Sequence, residues 1–116
     1  DAYGFRFTSK DKVIVFSGDT GPSKSLEDYA KDADILVHEV YSYAGFLKKT
    51  KDWQIYHKSH HTSTYEVGEI ASRAKPKLLV LSHILFWGAD EQDILEETRT
   101  TFSGNIKIAE DLMVIK

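Results

Sequence analysis

Ala33-Asp34-Ile35-Leu36-Val37-His38-Glu39 is the stretch that decides the fold. Its apolar residues run without alternation and stop at two titratable side chains. A short continuous apolar run of this kind reads as a strand buried on both faces, as in parallel sheets. Two other runs follow the same plan. Val13-Ile14-Val15-Phe16 ends in Ser17-Gly18-Asp19-Thr20, and Leu78-Leu79-Val80-Leu81 ends in Ser82-His83. Upstream, Tyr3-Gly4-Phe5-Arg6-Phe7 alternates and turns at Lys10-Asp11-Lys12, so the first two strands are expected as a hairpin, the second buried on both faces.

Helical patterns stand between these runs. A helix is expected from Ser23 or Ser25, with Leu26, Tyr29 and Ala30 as its apolar face and Asp28 in the first turn. Tyr41 to Lys58 reads as loop with a short helix. Ser63 and Glu66 fit a capping box, with Val67, Ile70, Ala71 and Ala74 as the stripe behind it, and Pro76 stops that helix. Strand Ala33–Val40 and strand Lys77–Ser82 flank it. Asp90 caps a helix through Ile94 and Leu95, and Ile106–Ala109 and Leu112–Ile115 read as closing strands. The order β-β-α-β-α-α-β-α-β-β predicts an α/β fold, a mixed sheet covered by helices.

The chain has 116 residues, enough for one domain, and no internal boundary is expected within 1–116. It has no cysteine, so any transition metal must be held by His and carboxylate. No apolar run reaches the ~20 residues of a membrane span, and no secretory signal is visible. The net charge of −3, with no basic run apparent, argues against a large nucleic-acid surface without excluding a local one.

Three buried runs thus each end in residues fit for metal or acid–base chemistry. His60-His61-Thr62-Ser63, before a helix start, makes a fourth group. Ligands of parallel α/β sheets sit beyond the carboxyl ends of strands, so the four groups are expected to converge. Asp, Glu and His together suit zinc, with manganese or iron as alternatives. Each residue alone also has a structural role open to it. Asp19 can close a turn, His83 can end a strand, one of His60 and His61 can lie in a solvated loop, and His38-Glu39 can be a buried polar pair. Phe86 and Trp87 either line a pocket or plug the space against Tyr41–Phe46.

Taken in order, Ser17-Gly18-Asp19-Thr20, Ala33–Glu39, His61-Thr62-Ser63 and Leu79–His83 resemble the second half of the metallo-β-lactamase superfamily, in its RNase Z and arylsulfatase-like branch. The resemblance covers nearly the whole chain. It implies half of an αββα sandwich, a mixed sheet with helices on one face. It also implies a dinuclear metal-dependent hydrolase of phosphodiester or other ester bonds, with two zinc ions in the complete enzyme and a cytoplasmic location. Asp19 matches the bridging carboxylate and His83 the last histidine ligand. His61 matches the catalytic histidine, and Glu39 the acid that orients it. His38, Thr62 and Ser63 are expected to be structural.

The family's His-x-His-x-Asp-His motif is not in this chain. The resemblance implies that it precedes Asp1, in a missing N-terminal half of the same fold. The chain alone is therefore expected to bind metal weakly and hydrolyse nothing. A bare sheet face is expected to drive homo-oligomer formation. The substrate is left open between a small ester and RNA. The competing expectation is a non-catalytic module of the same fold, used for assembly or RNA contact.

Overall fold

The structure, a computed structural model, describes residues 5–18 and 21–109. β1 (Phe5–Thr8) and β2 (Val13–Phe16) form the expected antiparallel hairpin, closed where Ser9 N–H donates to Lys12 O at 2.8 Å. α1 (Lys24–Ala30) leads to β3 (Ile35–Tyr41). Next come α2 (Tyr43–Leu47), α3 (Lys51–His60) and α4 (Thr64–Ala74), then β4 (Leu78–Leu85), α5 (Glu91–Arg99) and β5 (Ile106–Ile108). Among the described residues the sheet order is β1-β2-β3-β4-β5, antiparallel only between β1 and β2. This is the mixed sheet with helices that the alternating runs predict. Asp19 and Leu112–Ile115 lie outside the described residues.

Local chemistry sets the helix limits. Ser23 caps α1, its hydroxyl accepting from Leu26 N–H. Ser63 and Glu66 complete the capping box of α4 at 3.1 and 3.0 Å. α4 ends at Lys75, left-handed at φ 58°, immediately before Pro76. Asp90 and Asp93 cap α5 in the same reciprocal way.

The core lies on one face of the sheet. Leu26 and Ala30 of α1, Val67, Ile70 and Ala71 of α4, and Ile94 of α5 bury against Val15, Leu36, Val40, Leu79 and Leu81. Gly68 lets α4 lie close against α5, since a Cβ there would lie 2.8 Å from Thr98 O. Tyr29, expected on the buried face of α1, points outward at 55% exposed. The helix begins after Ser23, which turns Leu26, Glu27 and Ala30 inward instead.

Glu27 is a buried carboxylate held by Arg73 Nε at 2.8 Å, joining α1 to α4. Burial works to raise its pKa, but the Arg73 guanidinium and Lys24 outweigh that and hold it below the usual range. Arg73→Met is expected to destabilise the fold by roughly 1–3 kcal/mol, because it leaves the carboxylate short of a partner. Urea unfolding of the two proteins measures this.

The opposite sheet face is only partly open. Ile35, Val37 and Val80 are buried there, beside Ile14, Leu78 and Ala109. The open part is the hairpin edge, where Phe7 and Phe16 are 60% and 37% exposed and meet edge-to-face at 5.7 Å. β2 is thus not buried on both faces as its apolar run predicts. It has β3 on one side and only a hairpin strand on the other, and helix packing reaches only its Val15 side.

Candidate active site

The parallel strands β2, β3 and β4 bring their carboxyl ends to one edge. There a hollow of about 300 Å³ is lined by Ser17, Gly18, Glu39, Ser82 and His83. Ser17 fixes the end of β2 against β3. Its N–H donates to Val37 O at 2.9 Å, and its Oγ accepts from Glu39 N–H at 3.0 Å. Gly18 leaves the strand at φ 65°, a conformation that suits glycine.

Glu39, 2% exposed, aims its carboxylate at the start of the next segment. Oε1 lies 3.0 Å from Nδ1 of His61, and Oε2 accepts from Thr62 N–H at 3.5 Å. Tyr41 N–H donates to Thr62 O at 2.9 Å, and Tyr41 and Ser63 form a parallel bridge. The backbone of 62–63 is therefore stitched to the end of β3, which sets His61 in place. With Nδ1–H given to the carboxylate, the lone pair of the neutral ring stands on Nε2.

His83 sits in β4, where the register with β3 slips: Glu39 pairs with Ser82, and Val40 with Ile84. His83 is the extra residue, at φ 46° and exposed. Bulges re-aim side chains beside functional sites, and a bulky residue at positive φ is uncommon. The strand continues to Leu85, three residues beyond its expected end, because the bulge interrupts the apolar pattern without breaking the ladder.

His38 goes to the other face, in register with Leu36 and Val40 of the core. It is fully buried, and Nδ1 donates to Glu39 O at 2.7 Å. Burial depresses its pKa to about 4, although that hydrogen bond works the other way. It is a neutral structural ring, as expected.

A second carboxylate, not visible as a site residue in the sequence, braces this region. Glu97 of α5 accepts from Tyr43 N–H at 2.9 Å and from Thr64 Oγ1 at 2.7 Å. It also accepts from Ser42 Oγ at 3.3 Å. One side chain thus ties the start of α2 to the start of α4. Trp87 tilts over Tyr41 at 5.1 Å and meets Trp53 edge-on at 4.3 Å. Of the two expectations for Trp87, this geometry is that of the plug. Gly45 admits it, since a Cβ there would lie 2.6 Å from Trp87 O.

No family model matches the sequence. Its similarity to individual proteins is clear. It is 36% identical to a ribonuclease Z of Archaeoglobus fulgidus over 108 residues, 92% of this chain and 33% of that protein. It is 34% identical to a ribonuclease Z of Bacillus velezensis, covering 91% of this chain and 33% of that protein. The structure superposes on the metallo-β-lactamase fold protein YhfI of Bacillus subtilis with a TM-score of 0.76 and 24% identity, over 93% of this chain and 41% of the other. This chain carries part of the metallo-β-lactamase fold and is related to ribonuclease Z. The human short-form tRNase Z superposes with a TM-score of 0.63 and 24% identity, over 97% of this chain and 37% of that one. The chain spans about a third of the length of the curated relatives it matches.

Within this part of the metallo-β-lactamase fold, the donors that suit a metal are few. Among the described residues no three His, Asp or Glu side chains stand close enough to hold an ion. The exposed imidazole of His83 is a suitable donor for a borderline cation. Donor type therefore fits a metal, and donor number falls short of the three protein ligands a catalytic zinc takes. No helix among the described residues is long and apolar enough to cross a membrane.

Proposed function

We propose that this chain is the C-terminal half of a metallo-β-lactamase-fold hydrolase that cleaves phosphodiester or related ester bonds. The observation that carries this reading is the Glu39–His61 pair at 3.0 Å, beside His83 at the carboxyl ends of three parallel strands. In this reading His83 and Asp19 would hold metal, with the remaining ligands coming from the N-terminal half. Zinc is the first candidate, two ions in the complete site, with manganese or iron as alternatives. Bound there, the metal would polarise the scissile ester and make water nucleophilic near neutral pH.

The chain's own residues do the rest. Glu39 holds the His61 ring in one orientation and one tautomer, and stabilises it when it takes a proton. Once the ring has taken a proton at Nε2, that N–H gives it to the leaving oxygen, or steadies the negative charge that builds there, and the ring returns to its neutral form. Ser17 fixes the Glu39 backbone, so the acid is positioned by the sheet rather than by a loop. Among the described residues no ligand set is complete, and in this reading the chain is inactive without its other half. The similarity to ribonuclease Z makes RNA one candidate substrate, alongside small diesters.

The test is hydrolysis of bis(p-nitrophenyl) phosphate by the full-length gene product and by the 116-residue chain, each with added zinc. Turnover is expected from the first and not from the second. A full-length product that binds zinc yet hydrolyses no diester or aryl ester would favour the non-catalytic module.

A further inference from the structure

Trp53, His57 and His61 are spaced by four residues, so they rise along one face of α3 to its C-cap. Their rings form a column. Trp53 and His57 lie 3.9 Å apart, centroid to centroid, and His57 and His61 stack at 5.6 Å with 19° between their planes. Trp87, from the loop after β4, closes the column from the side, edge-on to His57 at 5.3 Å as it is to Trp53. Tyr56 meets His57 edge-on at 5.0 Å. His57 is thus walled by rings from two segments of the chain, and one of those rings is His61.

Two histidines this close would share a proton if both were placed to titrate. His57 is not. Its Nδ1 is buried and has no hydrogen-bond partner among the described residues. Burial, and then the charges of His61 and His60, hold its pKa below the ordinary value. The carboxylate of the cluster, Glu39 of β3, is bonded to His61, and Lys49 Nζ stands 5.4 Å from the Trp53 ring. What His57 presents to His61 is therefore a flat, neutral face. The Glu39 bond fixes one atom of the His61 ring, at Nδ1, and a stacked neighbour fixes the plane. A neutral aromatic face also favours a cation set over it, so the same contact suits His61 when it carries a proton.

We propose that His57 is a positioning residue, a flat stop that Trp53 and Trp87 brace and against which Glu39 holds the His61 ring. It moves no proton itself, so a hydrocarbon ring of similar shape serves in its place. A branched aliphatic side chain does not, because it fills the space without offering a plane. The proposal rests on the hydrolase reading for its effect on turnover, but the orientation of His61 is measurable without turnover.

The experiment compares His57→Phe, His57→Leu and His57→Ala with wild type in the full-length gene product. The first readout is proton–nitrogen correlation NMR of the histidine rings in EDTA at about pH 8, above the ordinary histidine value. Wild type and His57→Phe are expected to show His61 as a single Nδ1–H tautomer, and His57→Leu and His57→Ala a mixture of the two. The second is hydrolysis of bis(p-nitrophenyl) phosphate with zinc. His57→Leu and His57→Ala should lose about 10–100-fold in kcat with KM unchanged, and His57→Phe should recover it. His57→Phe should melt no lower than wild type, because it removes a buried nitrogen that has no partner. If His57→Ala does not fold, His57→Leu against His57→Phe decides. An unchanged tautomer in His57→Leu, or a kcat for His57→Phe as low as that for His57→Leu, would overturn the proposal. A full-length product that hydrolyses no diester would sink the enzymatic reading, and the tautomer would still decide whether His57 positions His61.

Discussion

His61→Ala is expected to lower phosphodiester turnover by the full-length protein about 10²–10⁴-fold, the usual contribution of a positioned acid or base, with little change in stability. The imidazole is half-buried at the end of α3, and its backbone N–H to His57 O bond survives the substitution. Glu39→Gln should cost less, about 10–100-fold. The amide can still meet Nδ1, but it carries no charge to stabilise the ring once protonated. It should also shift the limb of the pH–rate profile that reports His61. A merely structural Glu39 would change protein yield or melting and leave that profile in place. Kinetics of both variants with bis(p-nitrophenyl) phosphate across pH decide the matter.

The second large effect is acid lability from His38. Its pKa is depressed by burial from 6.5 to about 4. Above pH 6.5 the ring is neutral whether the chain is folded or not, and its contribution to stability is fully present. Below 6.5 the unfolded chain takes up a proton that the folded chain refuses. Stability therefore falls as pH drops from 6.5 towards 4, by about 3 kcal/mol from this residue. His57, which burial and the neighbouring His61 and His60 hold low, adds to the same slope with the same sign. The depressed carboxylates Glu27 and Asp34 release their stabilisation only at lower pH, as it falls below their ordinary values of 4.5 and 3.8. Urea midpoints of wild type and His38→Leu between pH 4 and 7 isolate the His38 share. The variant should show a flatter profile, and parallel profiles would refute the assignment.

How much of this was legible beforehand depended on the kind of signal. The parallel core was, because Ile35–Val37 and Leu78–Leu81 are apolar on both faces and end in polar residues. The capping box at Ser63 and the cap at Asp90 were legible because their chemistry is local; the reciprocal bond from Asp93 came only with the structure. The Glu39–His61 contact was reached through family resemblance, since 22 residues separate the pair. The bulge at His83 was not legible: a one-residue register slip depends on the neighbouring strand. Neither was the α2–α3 pair, whose ten-residue second helix buries no residue fully and so shows no apolar stripe. Glu97 reads in sequence as one more acid on a solvated helix, and only the fold places Ser42, Tyr43 and Thr64 around it.

The central claim is that this chain holds one part of a shared metal site. Zinc titration calorimetry on the 116-residue chain and on the full-length gene product, each as wild type, Asp19→Ala and His83→Ala, tests it most directly. The account predicts weak heats from the chain alone, insensitive to either substitution. It predicts tight binding by the full-length product, weakened by at least about two orders of magnitude in each variant. Tight binding by the chain alone, or full-length binding indifferent to His83→Ala, would contradict it.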